Sequence, residues 1–237
     1  MSEQDLKYGT YVSTFEILSN KDATQSIRKI SRQALKTINE PRIQLLEMLR
    51  ADKPAHLLIP ESIHAKPGEP LNEFYSYKSL HTLDDLSLAR FIDQGKITEY
   101  QLASMFAQLT KAVGFLHQHG FVHRDIRPPN ILVGEIPQKP DVILFDYSNV
   151  CRPYQPARRI VSWNEEHPND PYIDYRFDVF SIGKIFYNLT HEWDDSLKPN
   201  LDEAHPLHRV ISLALHPYSE RPKNAMELGR LVDQAEN

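Results

Sequence analysis

The 237-residue chain has a single cysteine, Cys151, so no internal disulfide braces it. Glycine is scarce, with eight residues against seventeen prolines, a ratio that favours turns of fixed φ over permissive ones. No apolar run approaches the length of a membrane span, and no apolar segment with a cleavage site stands at the N-terminus. A spanning helix and a secretory signal are therefore not expected, and the cytoplasm is the expected compartment. Positive charge is not in excess either: 27 Lys and Arg against 32 Asp and Glu give a formal charge of −5. Such a chain has no field to draw in nucleic acid or an anionic membrane. Repeats and low-complexity runs are lacking. What is present is 41% hydrophobic and 25% charged residues, enough to bury a sizeable core in one bilobed unit or two small domains.

Residues 8–19 and 25–31 alternate and are rich in β-formers, with Asn20-Lys21-Asp22 between them, which predicts a hairpin. A helix at about 42–50 follows, then strands at about 56–64 and 72–79 joined through Lys66-Pro67-Gly68-Glu69-Pro70. From there the period becomes helical. Thr98 with Gln101 forms a capping box, and Leu102, Met105, Phe106, Leu109, Val113 and Leu116 share one face of a helix ending at Gly120. These patterns predict an α+β chain with a small β-rich part over residues 1–80 and a mainly helical part over 81–237.

The most informative segment is His123-Arg124-Asp125-Ile126-Arg127-Pro128-Pro129-Asn130, followed by the short apolar strand Ile143-Leu144-Phe145 and Asp146. The spacing H-R-D-x-x-x-x-N puts a carboxylate and a carboxamide on one loop, and Asp146 adds a second carboxylate at a strand end. This constellation resembles the eukaryotic-type protein kinase family. The resemblance implies a bilobed kinase-like fold, ATP with Mg²⁺ or Mn²⁺, and a protein substrate. It makes Asp146 and Asn130 the metal ligands, since such hard cations take oxygen and few protein carboxylates. Asp125 becomes the base that orients an incoming hydroxyl, and Arg127, where Ser/Thr kinases usually carry Lys, a clamp on the transferring phosphoryl.

The resemblance continues towards the C-terminus. Asp178-Val179-Phe180-Ser181-Ile182-Gly183 is similar to the family's D-V-W-S-x-G helix start, whose Asp ties down the H-R-D backbone, and Arg221-Pro222 to an element whose Arg pairs with an acid, here Glu166. The metal-binding triplet reads Asp146-Tyr147-Ser148, with a serine for the hinge glycine, so the loop is expected to be stiffer. Arg124 would await a phosphate or acid on the segment that follows, and the docking region near Asp194 to His205 looks reduced. In the N-terminal part the pattern decays. Of the glycine-rich loop only Gly9-Thr10-Tyr11 remains; the phosphate-contacting cation is either Arg28 or Lys29, since one faces inward and sequence does not fix the register. Leu132 joins Gly9 and this cation in the implied nucleotide-binding set. Arg42 stands where the helix acid should be, with Glu40 at the helix start the nearest substitute. Three functions fit: a protein kinase acting on Ser or Thr, a pseudokinase binding nucleotide or protein, and a small-molecule phosphotransferase.

Overall fold

Strands β1 (Ser13–Ser19) and β2 (Gln25–Ala34) form the expected hairpin, in antiparallel register from Ser19↔Gln25 to Ser13↔Ser31. The computed structural model describes residues 13–19, 25–34, 40–66, 70–76, 87–88, 91, 97–134, 140–155, 173–192 and 204–235. They fall in two units, Met1–Lys53 with Leu58–Asp85 and Pro54–Leu57 with Leu86–Asn237.

In the first unit β2 also pairs with β4 (Pro70–Ser76), and β4 with β3 (Ser62–His64), giving the antiparallel order β1-β2-β4-β3. The strand expected over 56–64 is shorter than its sequence pattern. Only Ser62–His64 joins the sheet, because Pro60 has no N–H to donate and His56 sits at φ 63. Along β4, Leu71, Glu73 and Tyr75 are buried while Asn72 and Phe74 are half-buried, the period of two that a one-sided core demands. Helix α1 (Glu40–Asp52) buries Arg42, Leu45, Leu46 and Leu49, one stripe at helical spacing.

The second unit is built on α2 (Glu99–Gln118), whose capping box forms as its sequence predicts: Gln101 N–H donates to Thr98 Oγ1, and Thr98 N–H to Gln101 Oε1. Strands β5 (Ile131–Gly134) and β6 (Asp141–Leu144) make a hairpin. Gln108, buried on α2, tethers it. Its Nε2 donates to Pro140 O at 2.7 Å and its Oε1 accepts from Val142 N at 2.8 Å, satisfying backbone groups at the entry to β6. Leu57 bridges Leu144 on the other edge, which is why Pro54–Leu57 belongs to this unit.

Helix α3 (Tyr175–Tyr187), capped by Asp174, runs on as a π-helical turn over Asn188–Glu192; α4 (Pro206–Leu215) and α5 (Ala225–Ala235) complete the bundle. Phe106 of α2 stacks on Phe186 of α3 at 4.2 Å. At Gly183 the α3 backbone lies so close to α4 that a Cβ there would sit 2.6 Å from Ala214 Cβ. Gly183→Ala is therefore expected to lower the melting temperature. Overpacking costs about 1–3 kcal/mol, only partly offset by about 1 kcal/mol of helix propensity. An unchanged melting temperature would show that the two helices part freely. Among the described residues no helix is long and apolar enough to cross a membrane.

Candidate active site

The site of the second unit is anchored on Asp178, fully buried in the first turn of α3. Its Oδ2 accepts His117 Nε2–H at 3.0 Å and His123 N–H at 2.7 Å, and its Oδ1 accepts Arg124 N–H at 2.9 Å. His117 has its tautomer fixed, since its Nδ1 accepts from Ala225 N at the start of α5. One carboxylate thus joins α2, α3 and the His123–Asn130 loop, and His117 links them to α5. The hold is needed because Arg124 sits at φ 67, a left-handed conformation that costs a non-glycine residue of order 1–3 kcal/mol.

The next residues are ordered in turn. His123 is fully buried, and burial pushes its imidazole below its ordinary pKa, favouring the neutral form. A neutral ring suits its neighbours: Nε2–H donates to Phe145 O at 3.1 Å, and Nδ1 accepts Asp125 N–H at 3.3 Å. Asn130 Nδ2 donates to Asp125 O at 2.8 Å, and Phe145 N–H to Asn130 O at 3.0 Å. Because Ile131 pairs with Leu144, the β5–β6 hairpin sets Asn130 beside Phe145 and next to Asp146.

Asp125 is 5% exposed. Desolvation raises its carboxyl above the ordinary range, with the nearby Asp146 charge adding to the rise and the Arg127 guanidinium opposing it. Arg127 Nε lies 3.3 Å from Oδ1, and Asn149 Nδ2 donates to Oδ2 at 3.3 Å. Asp146, at φ 63, is fixed by the residue that replaces the hinge glycine: its Oδ1 accepts from Ser148 N at 3.2 Å and from Ser148 Oγ at 2.6 Å. Tyr147 is fully buried, meets the His123 ring edge-on and donates its hydroxyl to Leu144 O.

These groups suit a hard divalent cation. Asn130 uses its amide N–H on Asp125 O, which leaves its amide oxygen for a ligand, and the like charges of Asp125 and Asp146 are those a cation would relieve.

In the first unit the register sorts the two candidate cations. Lys29, directly opposite Glu73 in the β2–β4 pair, is 1% exposed; Arg28, opposite Phe74, is half-buried on the other face. Glu73 is fully buried, accepting from Arg42 of α1 on Oε1 and from the Tyr75 hydroxyl on Oε2. Glu73 on β4 is thus the buried acid across from Lys29 and in contact with Arg42.

Leu132 is buried in β5, where Ser87 bridges to it. Arg124 is buried with its guanidinium against the Cys151 thiol, which burial pushes up. Arg221 lies over the Phe180 ring at 4.3 Å and donates to His216 O. Gly9, Glu166, the Glu40 side chain and most of the reduced docking region lie outside the described residues. The sequence reading missed Glu73, Tyr75, Asn149 and His117. Of these only His117, a histidine on the apolar face of α2, carries a local signal.

A family model described as the protein kinase domain matches residues 71–224. The serine/threonine-protein kinase ULK3 of Mus musculus is 27% identical over 231 residues, covering 88% of this chain and 46% of the relative. The MAPK/MAK/MRK overlapping kinase of Homo sapiens is 25% identical over 229 residues, with 89% and 48% covered. A calcium/calmodulin-dependent protein kinase of Metarhizium anisopliae is 35% identical over 79 residues, 33% of this chain and 20% of that protein. The chain spans about half the length of the curated relatives that it matches over most of its own length. A match over most of the chain, on a fold that delivers an Asp, an Asn and a second Asp through one hairpin, shows that the chain belongs to the protein kinase domain family, with its α+β fold.

Proposed function

We propose that this chain is an active, ATP-dependent protein kinase acting on serine or threonine hydroxyls, with residues 1–80 as its small lobe and 81–237 as its large one. The observation that supports it best is the joint ordering of Asp125, Asn130 and Asp146 by His123, Phe145 and the β5–β6 register. A scaffold could keep the fold without holding all three. The relatives include serine/threonine-protein kinases, which supports the choice of acceptor.

In this reading Lys29 supplies the cation for the nucleotide's phosphates, with Leu132 and Gly9 in the nucleotide set. Asn130 and Asp146 hold Mg²⁺ or Mn²⁺, which when bound offsets phosphate charge. Asp125 orients the acceptor hydroxyl towards the γ-phosphorus. As the new O–P bond forms and the bond to the β–γ bridging oxygen breaks, ADP leaves and the hydroxyl proton passes to Asp125. Arg127 lies against the same carboxylate and is suited to contact the phosphoryl in flight.

Incubation with Mg²⁺ and γ-labelled ATP, with and without generic protein substrates, is expected to label protein, and Asp125→Ala to abolish the label. ATP is further expected to raise the melting temperature only when Mg²⁺ or Mn²⁺ is present, and Asp146→Ala to lose that metal effect. Arg42 at the expected acid position favours a second reading, a nucleotide-binding pseudokinase. Metal-dependent ATP binding with no labelled protein on any substrate would put that reading first.

A further inference from the structure

The cluster Lys29, Glu73, Arg42 and Tyr75 lies wholly in the first unit, on one face of the sheet and on α1. Lys29 and Glu73 face each other across hydrogen-bonded antiparallel strands, which holds their Cβ atoms about 5 Å apart on one face. Both are essentially without solvent, Lys29 at 1% and Glu73 at 0% exposure. A buried carboxylate needs strong partners, and Arg42 and the Tyr75 hydroxyl take one oxygen each. Their hold fixes the Glu73 side chain in one orientation next to Lys29.

We propose that Glu73 is the positioning residue for Lys29, with the acid carried on strand β4 and the supporting cation, Arg42, on helix α1. The inference rests on the reading above that Lys29 meets the nucleotide's phosphates, and it adds what sets that amine in place. A counter-ion on a neighbouring strand is held by main-chain hydrogen bonds, so its spacing to Lys29 does not change when α1 shifts. Arg42 then steadies the Glu73 carboxylate from α1, so the sheet sets the spacing of the pair and the helix only the orientation of its acid. An acid moved from Glu73 to position 42 would reach the same spot from the other side, because Arg42 already touches the Glu73 carboxylate.

The test measures the affinity of a fluorescent ATP analogue, the KM for ATP, kcat and the melting temperature in the wild type and four variants. Glu73→Gln keeps shape and one acceptor oxygen but removes the charge, and is expected to weaken ATP binding and raise KM by about tenfold, with a smaller change in kcat. Arg42→Glu alone places two buried acids together and is expected to lose stability and binding. The double variant Arg42→Glu, Glu73→Gln restores one acid to the cluster and is expected to recover ATP affinity to within about threefold of the wild type. If Glu73→Gln changes only the melting temperature, Glu73 is structural and the proposal fails. Where Glu73→Gln does not fold, the double variant decides, and a folded double variant with affinity still lost also overturns it. Lys29→Ala separates the two readings. Weakened ATP binding in Lys29→Ala with unaltered binding in Glu73→Gln sinks the positioning role alone, whereas unaltered binding in Lys29→Ala sinks both.

Discussion

Asp125→Asn is expected to lower turnover by about 10²–10⁴-fold, the usual contribution of a positioned acid or base, while raising the melting temperature at neutral pH. The two effects have one origin. Asp125 is held in a desolvated place that raises its carboxyl pKa above that of the unfolded chain. For a group raised in this way, its favourable contribution is fully present below the unfolded value and is lost as pH rises through the folded one. At pH 7 the wild type therefore carries an ionised, poorly solvated carboxylate that asparagine replaces without charge. The stability gap between variant and wild type should narrow as pH falls through the raised value. Turnover of the wild type should fall on its acid side at a pH above the ordinary carboxylate range, as Asp125 takes up its proton. Retained turnover in the variant, or a stability gap that widens towards acid, would contradict this account.

The largest loss of stability is expected for Asp178→Ala. It strands the buried N–H groups of His123 and Arg124 and the His117 ring N–H, and it leaves Arg124 in its left-handed conformation without support. Each buried donor left without an acceptor costs about 1–3 kcal/mol, and three are stranded together. Asp174→Ala is the control, because a lost N-cap costs about 0.5–2 kcal/mol on the same helix. Thermal melting that places both variants together would refute the hub role. Phosphoryl transfer should vanish with Asp178→Ala even at temperatures where the variant is folded, since the backbone before Asp125 is then free to relax.

The large helical unit was readable because its determinants are local. Thr98 and Gln101 are three residues apart on one turn, His123 to Asn130 is one loop, and Asp178 opens a helix whose apolar period is plain. Strand β6 was legible in the short apolar run that leads into Asp146. In the sheet unit the decisive facts are non-local. Whether Lys29 or Arg28 faces inward depends on strand register, which a one-residue slip reverses, and alternation alone leaves both registers open. The partner of Arg42 lies 31 residues away on another strand, and no spacing rule of a helix points to it. Asn149 reaches Asp125 only because the Asp146 turn is left-handed, a backbone choice that Ser148 stabilises and that glycine scarcity gave no reason to expect. The segment before Ser62 had β-formers enough for a strand, but Pro60 and His56 stop the ladder.

The His123–Asn130 loop is held from two very different distances along the chain. His123 meets Phe145 across 22 residues, whereas Arg124 meets Asp178 across 54. Closing the longer loop costs only about 0.8 kcal/mol more in chain entropy, less than one charge-assisted hydrogen bond returns. Distance in sequence is thus a minor obstacle to the second anchor, but the two anchors are independent. An opening that releases α3 from the loop leaves Asn130 and Asp146 together on their hairpin while the His123 and Arg124 backbone just before Asp125 loses its carboxylate acceptor. In the proposed reading, the end of the site that would ligate a cation can outlast the end that would accept a proton, so nucleotide binding is expected to persist in partly opened molecules that no longer turn over.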